Sequence, residues 1–97
     1  MSVLLITYDL RKPGQDYKGF YQVIKNYAWA RLSESSYAIE TDKSPETIYN
    51  ELRHHMDDND NLMVITLTSP WYGYNGKDVI DWLQKRLPIY QAAYRSW

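Results

Sequence analysis

The apolar positions of this chain fall into two kinds of run. Val3 to Tyr8 (VLLITY) are apolar or β-favouring almost without a break, and Leu62 to Thr68 (LMVITLT) repeat the pattern. Unbroken runs of that length suit strands covered on at least one face. Between them the period changes. Phe20, Ile24 and Tyr27 recur every three to four residues, flanked by Tyr17 and Val23, while Lys18, Gln22, Lys25 and Asn26 fall on the other side. That spacing predicts a helix over about 17–27, entered through a Pro13-Gly14 turn with Asp16 as candidate cap. Residues 29–41 (WARLSESSYAIET) alternate and read as a hairpin, or as one bent strand broken near Glu34-Ser35. Ser44, Pro45 and Glu46 then supply a cap, a first helical residue and a first-turn acid. Ile48, Leu52 and Met56 form the buried stripe of that second helix, which the acidic run 57–61 ends. After the loop SPWYGYNG, Val79, Ile80, Leu83 and Leu87 mark a third helix over about 77–87. Pro88 interrupts it, and the tail IYQAAYRSW is compatible with a further helical turn or with loose packing.

The order is strand, helix, strand pair, helix, strand, with a helical C-terminal extension. This predicts an α+β fold of the ferredoxin-like βαββαβ kind: an antiparallel sheet, two helices on one face and right-handed crossovers. Residues 1–97 make one domain, with its core in about 1–68 and an aromatic loop and helix in 69–97. The second sheet face needs cover, either from a partner subunit or from the C-terminal segment.

Composition narrows the chemistry. The chain has 97 residues and no cysteine, which excludes disulfides, thiolate metal sites and thiol nucleophiles. Ten Tyr and four Trp against one Phe suit core filling and, alternatively, interfaces. The apolar run Val3–Ile6 is too short for a signal sequence, and no stretch approaches a membrane span, so a cytoplasmic protein without a membrane partner is expected. A net charge of −1 argues against a general nucleic-acid coat. The distribution is less even: residues 1–31 hold Arg11, Lys12, Lys18, Lys25 and Arg31 against Asp9 and Asp16, and the remainder is acidic. This basic third is a candidate electrostatic footprint.

Within it, Asp9 is a carboxylate at a strand end beside a helix start. Mg²⁺ takes oxygen ligands and needs only one or two protein carboxylates when phosphates and waters complete its shell. The alternative duty for Asp9 is to accept turn amides. Arg11, Lys12 and Arg31 are candidate phosphate contacts, or else solvated surface charge. Strand alternation turns Tyr8 away from Asp9 and towards packing. His54 and His55 point about 100° apart on a helix, a poor arrangement for one metal. Asp57-Asp58-Asn59-Asp60-Asn61 resembles the start of a calcium loop, but Leu62 stands where glycine is required, so it reads as a polar connector. Trp71, Tyr72 and Tyr74 around Gly73 suggest a lid over the second sheet face, with Trp82 and Trp97. Their alternative role is to stack bases or grip a partner.

The triplet Tyr8-Asp9-Leu10 closes the first strand, a helix follows, and Arg31, Leu32, Ser35 and Tyr37 then occur in the later strand segment. This pattern resembles the CRISPR-associated protein two family over about residues 1–68, and the related virulence-associated protein D toxins. Pro13, Gly14 and Gln15 stand where that family usually has a basic cluster, Ser33 and Ser36 replace a Gln and an apolar residue, and a helix replaces its final crossing strand. The resemblance implies a ferredoxin-like homodimer in which the first-strand aspartates of two subunits, here Asp9, face each other and hold a divalent metal. It places Ser35 near Asp9. The implied activity is binding of RNA or DNA, with Mg²⁺-dependent endonuclease chemistry. The alternative is a non-catalytic interaction module on the same fold, a phage or plasmid factor docking on a defence or regulatory protein.

Overall fold

The computed structural model describes residues 1–11 and 17–88. The Pro13-Gly14 turn, the Asp16 cap, Lys12 and the tail 89–97 with Trp97 lie outside the described residues. The elements in chain order are β1 (Ser2–Asp9), α1 (Lys18–Lys25), β2 (Ala28–Ser33), β3 (Ser36–Thr41), α2 (Pro45–Arg53), β4 (Asn61–Leu67) and α3 (Lys77–Arg86). The four strands form one sheet in the order β2-β3-β1-β4, every neighbouring pair antiparallel. This is the ferredoxin-like arrangement, with β1 at the centre between β3 and β4.

Residues 29–41 resolve as a hairpin, with a register irregularity between Arg31 and Ser33. The bend is closed by side chains: the hydroxyls of Ser33 and Ser36 lie 2.7 Å apart, and Ser33 Oγ accepts from the Ser35 amide at 3.2 Å. α2 begins as its sequence predicts. Ser44 Oγ accepts the Thr47 amide at 3.1 Å and Pro45 takes the first helical position. It stops at Arg53, so Met56 packs against the core from beyond the helix.

Alternation divides β1 between the two faces. Leu4, Ile6 and Tyr8 point to the side covered by α1 and α2, where they meet Phe20, Ile24, Tyr37, Ile39, Ile48 and Leu52 in the main core. Tyr8 packs edge-on to Phe20 at 4.8 Å and parallel to Tyr37 at 6.4 Å, and its hydroxyl donates to the Glu34 carbonyl at 3.3 Å. Burial, foremost, pushes the Tyr8 phenol far above its ordinary pKa, so it stays protonated. The expected packing role is what the structure gives it.

The other face holds a smaller cluster of Val3, Ala38 and Leu83, covered by α3 and the loop before it. Arg86 anchors α3 to the sheet through Glu40 on β3, Nε to Oε1 at 3.1 Å, while its guanidinium lies 4.0 Å from the Trp82 ring centre. The cover is partial. Met63 and Ile65 on the edge strand β4 remain 59% and 43% exposed. No helix among the described residues is long and apolar enough to cross a membrane.

Candidate functional site

Asp9 is the last residue of β1 and sits opposite Asn61, the first of β4. By alternation it belongs to the face of Val3, away from the main core. Its Oδ2 accepts from Arg11 Nε at 2.7 Å, and both side chains are about half exposed. Two of the four predicted site residues therefore meet here.

Arg11 is held from the other side by a residue that the sequence reading passed over. Its backbone N–H donates to Asp60 Oδ1 at 2.7 Å. The same carboxylate accepts the Asp57 amide at 2.8 Å, and the Tyr17 hydroxyl lies 2.9 and 3.1 Å from its two oxygens. Asp60 is buried. Burial by itself works against its charge, but the amides of Arg11 and Asp57, the Tyr17 hydroxyl and Arg53 hold the carboxyl below the usual range. The run 57–61 is thus more than a connector. It carries the carboxylate that joins the end of β1, the entry to α1 and the entry to β4. Two more acids in the same run gave the sequence no means of singling Asp60 out.

Chemically, Asp9 is an exposed carboxylate neutralised by one guanidinium. Among the described residues no group of three or more His, Asp or Glu side chains is placed to hold a metal ion. One carboxylate per chain is the least that Mg²⁺ takes from a protein, and here Arg11 already engages it. Ser35 lies alongside: its carbonyl accepts the Tyr8 amide at 3.0 Å, which places the hairpin turn next to the end of β1.

Arg31 lies elsewhere. It pairs with Tyr37 on β3, which pairs with Ile6 on β1, so Arg31 belongs to the helix-covered face. Its Nε donates to the Ser33 carbonyl at 3.2 Å. There it lines an open groove of about 350 Å³ with Lys18, Tyr21, Gln22, Lys25 and Tyr37. The structure therefore separates Arg31 from Asp9 by a sheet face. Lys18, Tyr21, Gln22 and Lys25 occupy positions i, i+3, i+4 and i+7, one stripe of α1; the helical period sets Lys18, Gln22 and Lys25 on the side away from Phe20 and Ile24, but gives no sign that Arg31 joins them.

His54 caps the C-terminal end of α2. His55 lies against Gly19 of α1, where a Cβ would collide with the imidazole. Glu51, one turn away, turns instead to Lys43 Nζ at 2.7 Å and the Tyr27 hydroxyl at 2.7 Å. The bonds that Lys43 donates, first to Glu51 and then to the Tyr27 hydroxyl at 2.9 Å, raise its pKa, and the bond from Lys43 lowers that of Glu51.

The aromatic loop divides. Trp71 acts as the expected lid: it packs on the second cluster and donates Nε1–H to the Leu87 carbonyl at 2.6 Å. Trp82 joins the same cluster. Tyr72 and Tyr74 stand almost wholly in solvent. Beneath the loop lies an apolar pocket of about 230 Å³ between Leu5, Leu32, Leu67 and Leu83.

No family model and no curated protein matches this sequence. A solved structure, that of a hypothetical protein from Thermus thermophilus, is similar with a TM-score of 0.58 at 16% identity, covering 77% of this chain and 94% of that one. At that identity the likeness shows the ferredoxin-like fold alone.

Proposed function

We propose that the protein is a homodimeric nucleic-acid-binding protein in which Asp9 of two copies together holds Mg²⁺ for phosphodiester cleavage. The observation that carries this reading is the position of Asp9. It stands exposed at the end of the central strand, on the sheet face where the neighbouring strand β4 leaves Met63 and Ile65 uncovered. A second copy seated on that strip would bring a second Asp9 carboxylate to the metal. Bound Mg²⁺ supplies Lewis-acid stabilisation of charge on a phosphoryl oxygen. With Asp9 holding the metal, Arg11 beside it would be the residue to meet a phosphate. In the cleavage water would add to phosphorus and give up a proton, the P–O ester bond would break, and the departing oxygen would take up that proton through solvent.

Light scattering tests the dimer, with Met63→Asp expected to give monomers. Cleavage of labelled RNA and DNA is expected only with Mg²⁺ and is lost in Asp9→Asn with the circular dichroism spectrum unchanged. A stable monomer at working concentration, or full cleavage by Asp9→Asn, overturns the reading. Exposed Tyr72 and Tyr74 favour a second reading, a non-catalytic module that docks on another protein. It predicts neither cleavage nor salt-sensitive nucleic-acid binding.

A further inference from the structure

The groove between α1 and β2 lies on the sheet face opposite Asp9, and its chemistry differs from the rest of the surface. The described residues that line it include three cations, Lys18, Lys25 and Arg31, two tyrosines and a glutamine, with no carboxylate among them. Trp29, the next residue outward on its strand face, is 41% exposed. The Lys25 ammonium lies 5.2 Å from the Trp29 ring centre, and Trp29 packs 5.7 Å from Tyr37. Cations and aromatic rings thus share one depression with Trp29 at its border, in a protein whose net charge is negative.

We propose that this groove binds single-stranded nucleic acid, phosphates lying against the three cations and an unstacked base against Trp29. The inference deepens the nucleic-acid reading above and rests on it. A single strand presents anionic groups and planar faces side by side, which is the combination that cations and rings match here. An acidic peptide matches only the cations, and a duplex keeps its base faces stacked inside. Lys18 and Lys25 are two helical turns apart, about 10 Å, the span of about three stacked nucleotides. Between them Gln22 carries both a donor and an acceptor for a base edge.

The apolar pocket on the other face is better enclosed, but two of the polar groups that line it are committed within the protein. Trp71 Nε1 is bound to Leu87 and Asn75 Nδ2 to the Leu32 carbonyl.

Fluorescence anisotropy of the full chain with labelled 12-mer oligo-U and oligo-dT tests the groove, and the two arms separate RNA from DNA. With three phosphate contacts, affinity is expected to fall about 20-fold between 50 and 200 mM salt. Lys25→Glu and Arg31→Glu are each expected to weaken binding about tenfold or more. Trp29→Ala is expected to lose about tenfold and to abolish quenching of tryptophan fluorescence by the oligonucleotide. Lys77→Glu, on α3 across the sheet, is the charge-matched control and is expected to bind as the unaltered protein does. Circular dichroism confirms that each variant is folded. Salt-sensitive binding that the groove variants leave unchanged, or preference for duplex or for a poly-Glu peptide, overturns the groove and leaves the wider reading to its own test. Groove-dependent binding without Mg²⁺-dependent cleavage upholds the groove and removes the catalytic part of the reading. No binding to any nucleic acid overturns both.

Discussion

The two faces of the sheet are built from the same strands yet finished to different degrees. On one, Leu4, Ile6, Tyr8 and their partners from α1 and α2 exclude water almost completely. On the other, the buried apolar residues among the described ones are few, Val3, Ala30, Ala38 and Leu83, and the β4 side lies open at Met63 and Ile65. Residue type does not explain this, since β1 contributes aliphatic side chains to both faces. Cover does: two amphipathic helices close the first face, while α3 and a loop reach across only part of the second. Stability therefore resides on the first face, and the second is where Asp9 and an apolar strip of β4 stay open to solvent.

The sharpest way to break the contrast is to truncate one residue from each core. Phe20→Ala, at the fully buried centre of the first, is expected to destabilise by about 3–5 kcal/mol, and Leu83→Ala in the second by about 2 kcal/mol. Urea denaturation of both variants checks the ratio, and equal losses would show the second cluster to be as rigid as the first. A smaller effect concerns the seam between β1, α1 and β4. Asp60 has a lower pKa folded than unfolded, so its contribution is present above the unfolded value of 3.8 and is lost as pH falls through the folded value. Stability followed from pH 6 to pH 2 is expected to decline below about pH 4. Asp60→Asn is expected to be less stable near neutrality and to flatten that part of the decline.

The smallest effect probes the helix pair that closes the first face. In Gly19→Ala, the gain of about 1 kcal/mol from replacing a helical glycine opposes a collision with His55 that costs about 1–3 kcal/mol. The single variant is expected to be neutral to mildly destabilised in thermal unfolding. In a His55→Ala background the same substitution is expected to stabilise, because the obstructing ring is gone.

Much of this was legible from the chain. The unbroken apolar runs at β1 and β4, the helical stripe of Phe20 and Ile24, and the Ser44-Pro45 start of α2 are local signals, and local signals survive folding when packing agrees with them. The site was legible only in part. Asp9 and Arg11 are two residues apart, so their pairing lay within reach of the sequence. The bond from Arg11 to Asp60 spans 49 residues and depends on β4 pairing with β1.

The sequence by itself determined the elements, their order, the packing role of Tyr8 and the strand-end place of Asp9. Side-chain periods of 3.6 and 2 and helix-start chemistry are properties of neighbouring residues, and they need no distant partner. Only the tertiary structure decided which cations keep company with which carboxylate. Sheet register placed Arg31 on the face opposite Asp9, beside two lysines of α1. It also brought Asp60, one acid among several in a polar run, against the backbone of Arg11. Register is set by long-range pairing, and shifting it by one residue exchanges the two faces of a strand.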